Sequence, residues 1–107
     1  MSIEDKNLID LISVDKQGIL VLTISDHLKW DDKNEHLLLL QEKINIYLDF
    51  IENGQLDESY PDKADKKIMI QIVFKYQPNK TAEDFLEKAG ETVKGIGYGF
   101  NFYQLNQ

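Results

Sequence analysis

The stretch WDDKNEHLLLLQEKINIYLDFIENG, residues 30–54, predicts one long amphipathic helix around which the rest of the chain is arranged. Asp31 and Asp32 are suitable N-cap residues, and Asn53-Gly54 is a typical left-handed helix end. A helix of about 20 residues is about 30 Å long, which is enough to cross a small sheet. Its predicted buried face consists of apolar side chains at helical spacing: Leu37, Leu40, Ile44, Tyr47, Leu48 and Ile51.

A second apolar row, Leu39, Ile46 and Phe50, lies on the flank of this predicted helix. One interpretation is a wide core face that the C-terminal residues partly cover. The other is an exposed strip that binds a partner protein or a second copy of the chain, because contiguous exposed apolar patches mark interaction sites. These three residues are therefore the candidate partner-binding residues.

The residues before the helix predict a β-hairpin. Residues 8–14 are an apolar run, residues 15–18 are a turn that ends in Gly18, and residues 19–25 are apolar on both alternating faces. A strand that is apolar on both faces lies inside a sheet or has its second face covered. The hairpin therefore feeds its second strand directly into the helix.

The residues after the helix predict a polar loop over residues 55–65, a strand over residues 66–76, a second helix and a last strand. The period of two in residues 66–76 places Ile68, Ile70 and Ile72 on one face, toward the helices. Thr81 with Asp84 forms a capping-box pattern for a helix that continues to about Lys94 and is closed by Gly95. Tyr98, Phe100 and Phe102 then alternate with smaller or polar residues.

The predicted order is therefore β-β-α-β-α-β, which indicates an α+β two-layer sandwich. Crossover connections between parallel strands are strongly right-handed, and two of them favour a mixed sheet with both helices on one face. We find no internal repeat and no second domain in the 107 residues, so residues 1–107 are expected to form a single α+β domain.

Composition excludes several classes of protein. The net charge is −7, from 19 acidic and 12 basic residues, and every basic residue is lysine. Arginine is the preferred bidentate ligand of phosphate and guanine, so we expect no nucleic-acid or membrane binding. The chain has no cysteine, which excludes disulfides and thiolate metal sites. We see no secretory signal or apolar span and expect a cytoplasmic protein.

A weak candidate for a metal site is the set Asp26, His27, Asp32 and His36, at the junction between the second strand and the long helix. Asp32 and His36 are four residues apart on one helix face, and nitrogen with carboxylate ligands suits zinc, manganese or iron. The alternative is that the acidic residues only cap the helix. We predict no cofactor and no catalytic residues, since no serine lies in a nucleophile-elbow context and the glycines of KGIGYGF precede a strand rather than a helix.

Two segments are distinctive: S-D-H-L-x-W at residues 25–30 and H-L-L-L-L-Q-E-K-I-N at residues 36–45. Together with Tyr60-Pro61 and the strand IMIQIVFKY, they resemble a family of small uncharacterised bacterial proteins classed as a domain of unknown function. The resemblance covers most of the chain and is weakest in its C-terminal third. It implies a bacterial, cytosolic protein and supplies no activity or catalytic residues.

Three hypotheses follow from the sequence. The first is a non-enzymatic protein-interaction module, in a narrower form an immunity-type protein that neutralises a toxin by covering it. The second is a homodimer that uses the row Leu39, Ile46 and Phe50. The third is a metal- or ligand-binding protein built on the Asp26 to His36 cluster.

Overall fold

The structure is a computed structural model that describes residue 9 and residues 11–31, 35–59 and 67–105. Four strands and three helices follow one another along these residues. They are β1 (Leu11–Val14), β2 (Leu20–Asp26), α1 (Glu35–Glu52), α2 (Gln55–Ser59), β3 (Ile68–Phe74), α3 (Lys80–Ile96) and β4 (Gly99–Gln104).

The strands form one mixed sheet in the order β1-β2-β3-β4. The hairpin strand β1 runs antiparallel to β2, while β2 and β3 are parallel, with Leu20 opposite Ile68. The strands β3 and β4 are also parallel, with Met69 opposite Gly99. The two parallel connections contain α1 and α3, which confirms the predicted α+β order and the mixed sheet.

One face of the sheet and the two long helices enclose a hydrophobic core. Alternate residues of β2 and β3 point into it, as the period of two predicts. The buried side chains of the core are Leu20, Leu22, Ile24, Ile70, Ile72 and Phe74 from the sheet, Leu40, Ile44, Tyr47 and Ile51 from α1, Leu56 from α2, and Leu86 and Val93 from α3. The helices therefore pack on the same face of the sheet.

Helix α1 is shorter than the predicted segment of residues 30–54. Asp31 acts as an N-terminal cap, because its carboxylate accepts hydrogen bonds from the backbone N–H groups of Glu35 and His36, both at 3.2 Å. The predicted cap Asp32 lies outside the described residues. The helix ends at Glu52, and Gly54 follows with a left-handed φ of 90°.

The prediction of a polar loop after Gly54 is wrong for residues 55–59, which form α2. Asn53 Oδ1 accepts a hydrogen bond from the N–H of Gln55 at 3.0 Å, and this caps the new helix. Leu56 is fully buried in the core. One apolar anchor and one cap therefore fold a segment whose other residues are polar.

The predicted ends of the second long helix are also wrong. Its N-cap is Asn79, whose side chain accepts the N–H of Ala82 at 2.8 Å, so Thr81 already lies inside the helix. The helix passes Gly95 and stops at Gly97, which has a φ of 114°. Because this left-handed conformation is easily reached only by glycine, Gly97 rather than Gly95 terminates α3.

Helix α1 also buries polar side chains that its apolar pattern does not reveal. Lys43 is only 1% exposed, and its Nζ lies 5.8 Å from the centre of the Tyr47 ring. The Tyr47 hydroxyl donates a hydrogen bond of 2.5 Å to the backbone carbonyl of Thr23. This bond holds the middle of α1 on the middle of β2.

No helix in the part of the chain that the structure describes combines the length and apolarity needed to cross a membrane.

Candidate functional site

Two side chains of the sequence-predicted cluster meet where β2 leads into α1. Asp26 is the last residue of β2 and points to the helix side of the sheet, and His36 lies in the first turn of α1. His36 Nε2 and Asp26 Oδ2 are 2.5 Å apart, and both residues are nearly completely buried. The strand and the helix are thus joined by a direct contact between an imidazole and a carboxylate.

The remaining polar atoms of this pair are bound as well. His36 Nδ1 lies 3.1 Å from the backbone carbonyl of Lys29, and since a carbonyl only accepts, Nδ1 carries the proton. The second carboxylate oxygen of Asp26 accepts the N–H of Leu28 at 3.1 Å. Both ring nitrogens of His36 therefore have a partner within the chain, and neither is free to take a proton from a substrate.

Trp30 covers the pair. Its ring is stacked on His36, with centroids 3.7 Å apart and an interplanar angle of 17°. Its indole N–H points to the backbone carbonyl of Tyr76 at 3.4 Å. Trp30 thereby packs on the first turn of α1. We name Asp26, Trp30 and His36 the strand–helix joint. They link β2 to α1, and Trp30 also contacts Tyr76, which follows β3.

The proposed metal ligands are only partly brought together. Asp26 and His36 are in contact, His27 is an exposed residue, and Asp32 lies outside the described residues. Within the described ranges, no group of three or more His, Cys, Asp or Glu side chains is placed to hold a metal ion. A metal on His36 would have to displace Asp26 or the carbonyl of Lys29.

The second apolar row of α1 is half-buried. Leu39 and Phe50 pack against the core, and Ile46 has an intermediate exposure. The most exposed leucine of α1 is instead Leu38, at 57%. The row thus leaves part of its surface accessible, and its role in binding a partner stays a prediction.

A further surface feature lies between α3 and β4. A cleft of about 590 Å³ is lined by Glu83 and Glu87 together with Phe74, Phe102 and Tyr103, among others. A second cleft of about 350 Å³ adjoins it, because Glu87 and Phe102 line both. We name this combined feature, with the acidic row Glu83, Glu87 and Glu91 and the rings of Phe100 and Phe102, the acidic–aromatic groove.

The chain forms the groove by a close approach of α3 to β4. A Cβ atom on Gly90 would lie 3.1 Å from Phe100 Cδ2, so glycine at this position lets the ring rest on the helix. Phe102 remains 38% exposed and Tyr103 44% exposed. The glutamates are four residues apart and share one face of α3. The groove therefore has an apolar floor and an acidic rim.

Sequence reasoning missed this groove although both of its sides were visible. The spacing of the glutamates and the alternation of the phenylalanines are visible in the sequence. Neither pattern indicates that the two rows face each other in the folded chain. That information comes from the parallel pairing of β3 with β4, which sets α3 beside the aromatic strand.

Comparison with known proteins supports the resemblance noted above. The profile of a family of unknown function, DUF6572, matches residues 1–106. The chain belongs to this family. Neither a curated protein nor a solved structure matches it. Membership in DUF6572 is consistent with the predicted domain of unknown function and implies no activity for this chain.

Proposed function

We propose that this chain is a non-enzymatic protein-interaction module that binds its partner through the acidic–aromatic groove. The observation that carries the proposal is the pairing of a partly exposed aromatic floor with a row of three glutamates in clefts of about 590 and 350 Å³. Aromatic side chains contribute most of the binding energy in many interfaces, and a rim of one charge attracts a partner of the opposite charge. The expected partner is therefore a protein with a basic surface.

The strand–helix joint supports the non-enzymatic part of the proposal. A general base needs a nitrogen or an oxygen within reach of the substrate. His36 is 3% exposed, is covered by Trp30, and has both nitrogens occupied. The arrangement suits a structural role, in which the pair holds β2 and α1 together.

The test is selection from a displayed library of random peptides on wild-type protein. We expect enriched peptides with a net positive charge, and recovery reduced at least tenfold on the variant Glu87→Lys. Glu52→Lys is the matched control, because Glu52 is exposed on α1, does not line the groove and gives the same change of net charge. Equal loss on both variants, or enrichment of acidic peptides, would contradict the proposal.

A narrower form of the proposal is an immunity-type protein that neutralises a toxin by covering it. Its support is the small size of the chain and the net charge of −7, which favours a basic target. We also propose a cytosolic location, for which the absence of cysteine is the support. In a purified complex, a captured partner should lose its toxic activity with wild-type protein and keep it with Glu87→Lys.

The alternative is a homodimer formed through Leu39, Ile46 and Phe50, whose partial exposure favours it. Light scattering separates the two proposals. A mass of 12.5 kDa that does not change with concentration removes the homodimer. A mass of twice that value, which Ile46→Asp returns to the monomer, would favour it over the groove.

A further inference from the structure

The strand β4 is an edge strand of the sheet in the described part of the chain. The strand order ends at β4, so the described part of the chain places no strand beyond it. The N–H of Leu105 donates to the carbonyl of Phe74 at 2.8 Å, which shows which side of the strand faces β3. Because successive residues of a strand present their backbone groups to opposite sides, those of Phe100, Phe102 and Gln104 point outward. Among the described residues, no backbone hydrogen bond to these outward groups is formed.

The residues of β4 include neither the lysine nor the proline that commonly protects an edge strand from pairing. Edge strands are commonly protected by lysine, proline, bulges or short length. The sequence of β4, GFNFYQ, has six residues with neither a charge nor a proline. The opposite edge strand, β1, has only four residues. The chain thus offers its longer, aromatic edge beside the acidic–aromatic groove.

We infer that the partner binds as an extended segment that adds a strand to β4 and places lysine or arginine side chains at alternate positions in the groove. This inference rests on the proposed function and specifies how the groove is used. Main-chain hydrogen bonds to an open edge provide affinity in this mode of recognition, and pockets for alternate side chains provide specificity.

The spacing of the two sides supports this mode. Side chains on one face of an extended segment repeat about every 6.6–6.8 Å, and residues four apart on a helix repeat about every 6 Å. The two repeat distances are therefore close enough for three alternate side chains of the added strand to lie opposite Glu83, Glu87 and Glu91. Long basic side chains also suit the floor, since their aliphatic stems pack on aromatic rings while the charged ends reach the carboxylates.

Charge argues for another protein rather than a second copy of this chain. Pairing of two β4 edges would bring two acidic rows and two chains of net charge −7 together. Lys94 lines the end of the groove near Phe100, whereas the described residues that line the cleft around Phe102 include Glu83 and Glu87 and no lysine. The basic residues of the segment are therefore expected at the Phe102 end.

The test uses a fluorescent ten-residue peptide that alternates lysine and valine, with two derivatives. One is N-methylated on its valines and the other on its lysines. If the lysines face the groove, only one of these two sets of N–H groups points toward β4. We expect the parent to bind, one derivative to bind equally well, and the other to bind at least tenfold more weakly. Glu87→Lys should weaken the parent at least tenfold, and Glu52→Lys should not.

Other outcomes overturn the inference in distinguishable ways. Equal binding of both derivatives, with the Glu87→Lys effect intact, means side-chain docking in the groove without an added strand, and the proposed function stands. Equal weakening by Glu52→Lys means unspecific charge attraction. No binding of the parent excludes an alternating basic segment, and the library selection then decides the proposed function separately.

Discussion

Asp26 and His36, ten residues apart in the chain, meet at 2.5 Å in a buried contact that closes the angle between β2 and α1. Trp30 lies on top of the ring, and Leu28 and Lys29 bind the remaining polar atoms of the pair. The segment between strand and helix is therefore folded around a hydrogen-bonded centre rather than an apolar one. This centre can be tested apart from the groove.

Replacement of Asp26 by asparagine should destabilise the protein strongly. Asparagine removes the carboxylate from a buried hydrogen bond, and a buried polar group that loses its partner costs about 1–3 kcal/mol. We expect the free energy of unfolding, measured in urea, to fall by about 2–3 kcal/mol for Asp26→Asn. Asp49→Asn is the control, because Asp49 is exposed on α1. A loss as small as that of the control would mean that the pair contributes little.

The position of one proton on His36 is also predicted. Since Nδ1 faces a carbonyl oxygen, it carries hydrogen whether or not Nε2 does. A long-range ¹H–¹⁵N correlation spectrum should assign a protonated Nδ1 to His36. An Nδ1 without a proton would contradict this geometry and would require a different orientation of the ring.

Zinc or manganese should not stabilise the protein. Both nitrogens of His36 are already bonded, and a metal ion would have to break one of these bonds. We expect the melting temperature of protein purified without chelator to be unchanged after metal addition. A clear rise that is lost in His27→Ala would instead support the metal site predicted from sequence.

The start of α3 allows a direct comparison of two capping residues. Loss of an N-cap side chain costs about 1 kcal/mol. Asn79→Ala should therefore lower the free energy of unfolding by about that amount, while Thr81→Ala should change it little because Thr81 is exposed inside the first turn. A larger loss of stability for Thr81→Ala than for Asn79→Ala would instead support the capping box predicted from sequence.

Two glycines at the end of α3 should respond to alanine with opposite sign. Gly95 lies within the helix with open space around it, so Gly95→Ala should stabilise the protein by up to about 1 kcal/mol. Gly97 has a φ of 114°, so Gly97→Ala should destabilise it by about 1 kcal/mol or more. Thermal unfolding of the two variants measures the contrast. The same sign for both would place the helix end elsewhere.

These cases show what the sequence could predict. The period of two in β3 and the helical period in α1 extend over enough residues to identify both elements and their buried faces. Helix α2 was missed because five residues with one buried leucine contain no measurable period. The ends of α3 were misplaced because Asn79 and Thr81 are both good caps, as Gly95 and Gly97 are both good ends, and only the backbone geometry distinguishes them.

The candidate sites also combine features that have a local sequence signal with features that depend on tertiary contacts. Asp26 and His36 were selected together because they flank one junction, but their mutual contact and the occupation of both ring nitrogens depend on how the helix turns back over the strand. The groove depends on contacts between elements, and its two sides carry no local signal of being neighbours.

The parallel pairing of β2 with β3 has a consequence for the kinetics of folding. The β1–β2 hairpin closes across a short turn, whereas Leu20 meets Ile68 only after the whole of α1 and α2 has been enclosed. Contacts between residues far apart in a chain form only after the entropy cost of loop closure has been met, and this slows folding. The rate-limiting step is therefore expected to be the docking of β3 on β2, with α1 already helical and the hairpin already formed.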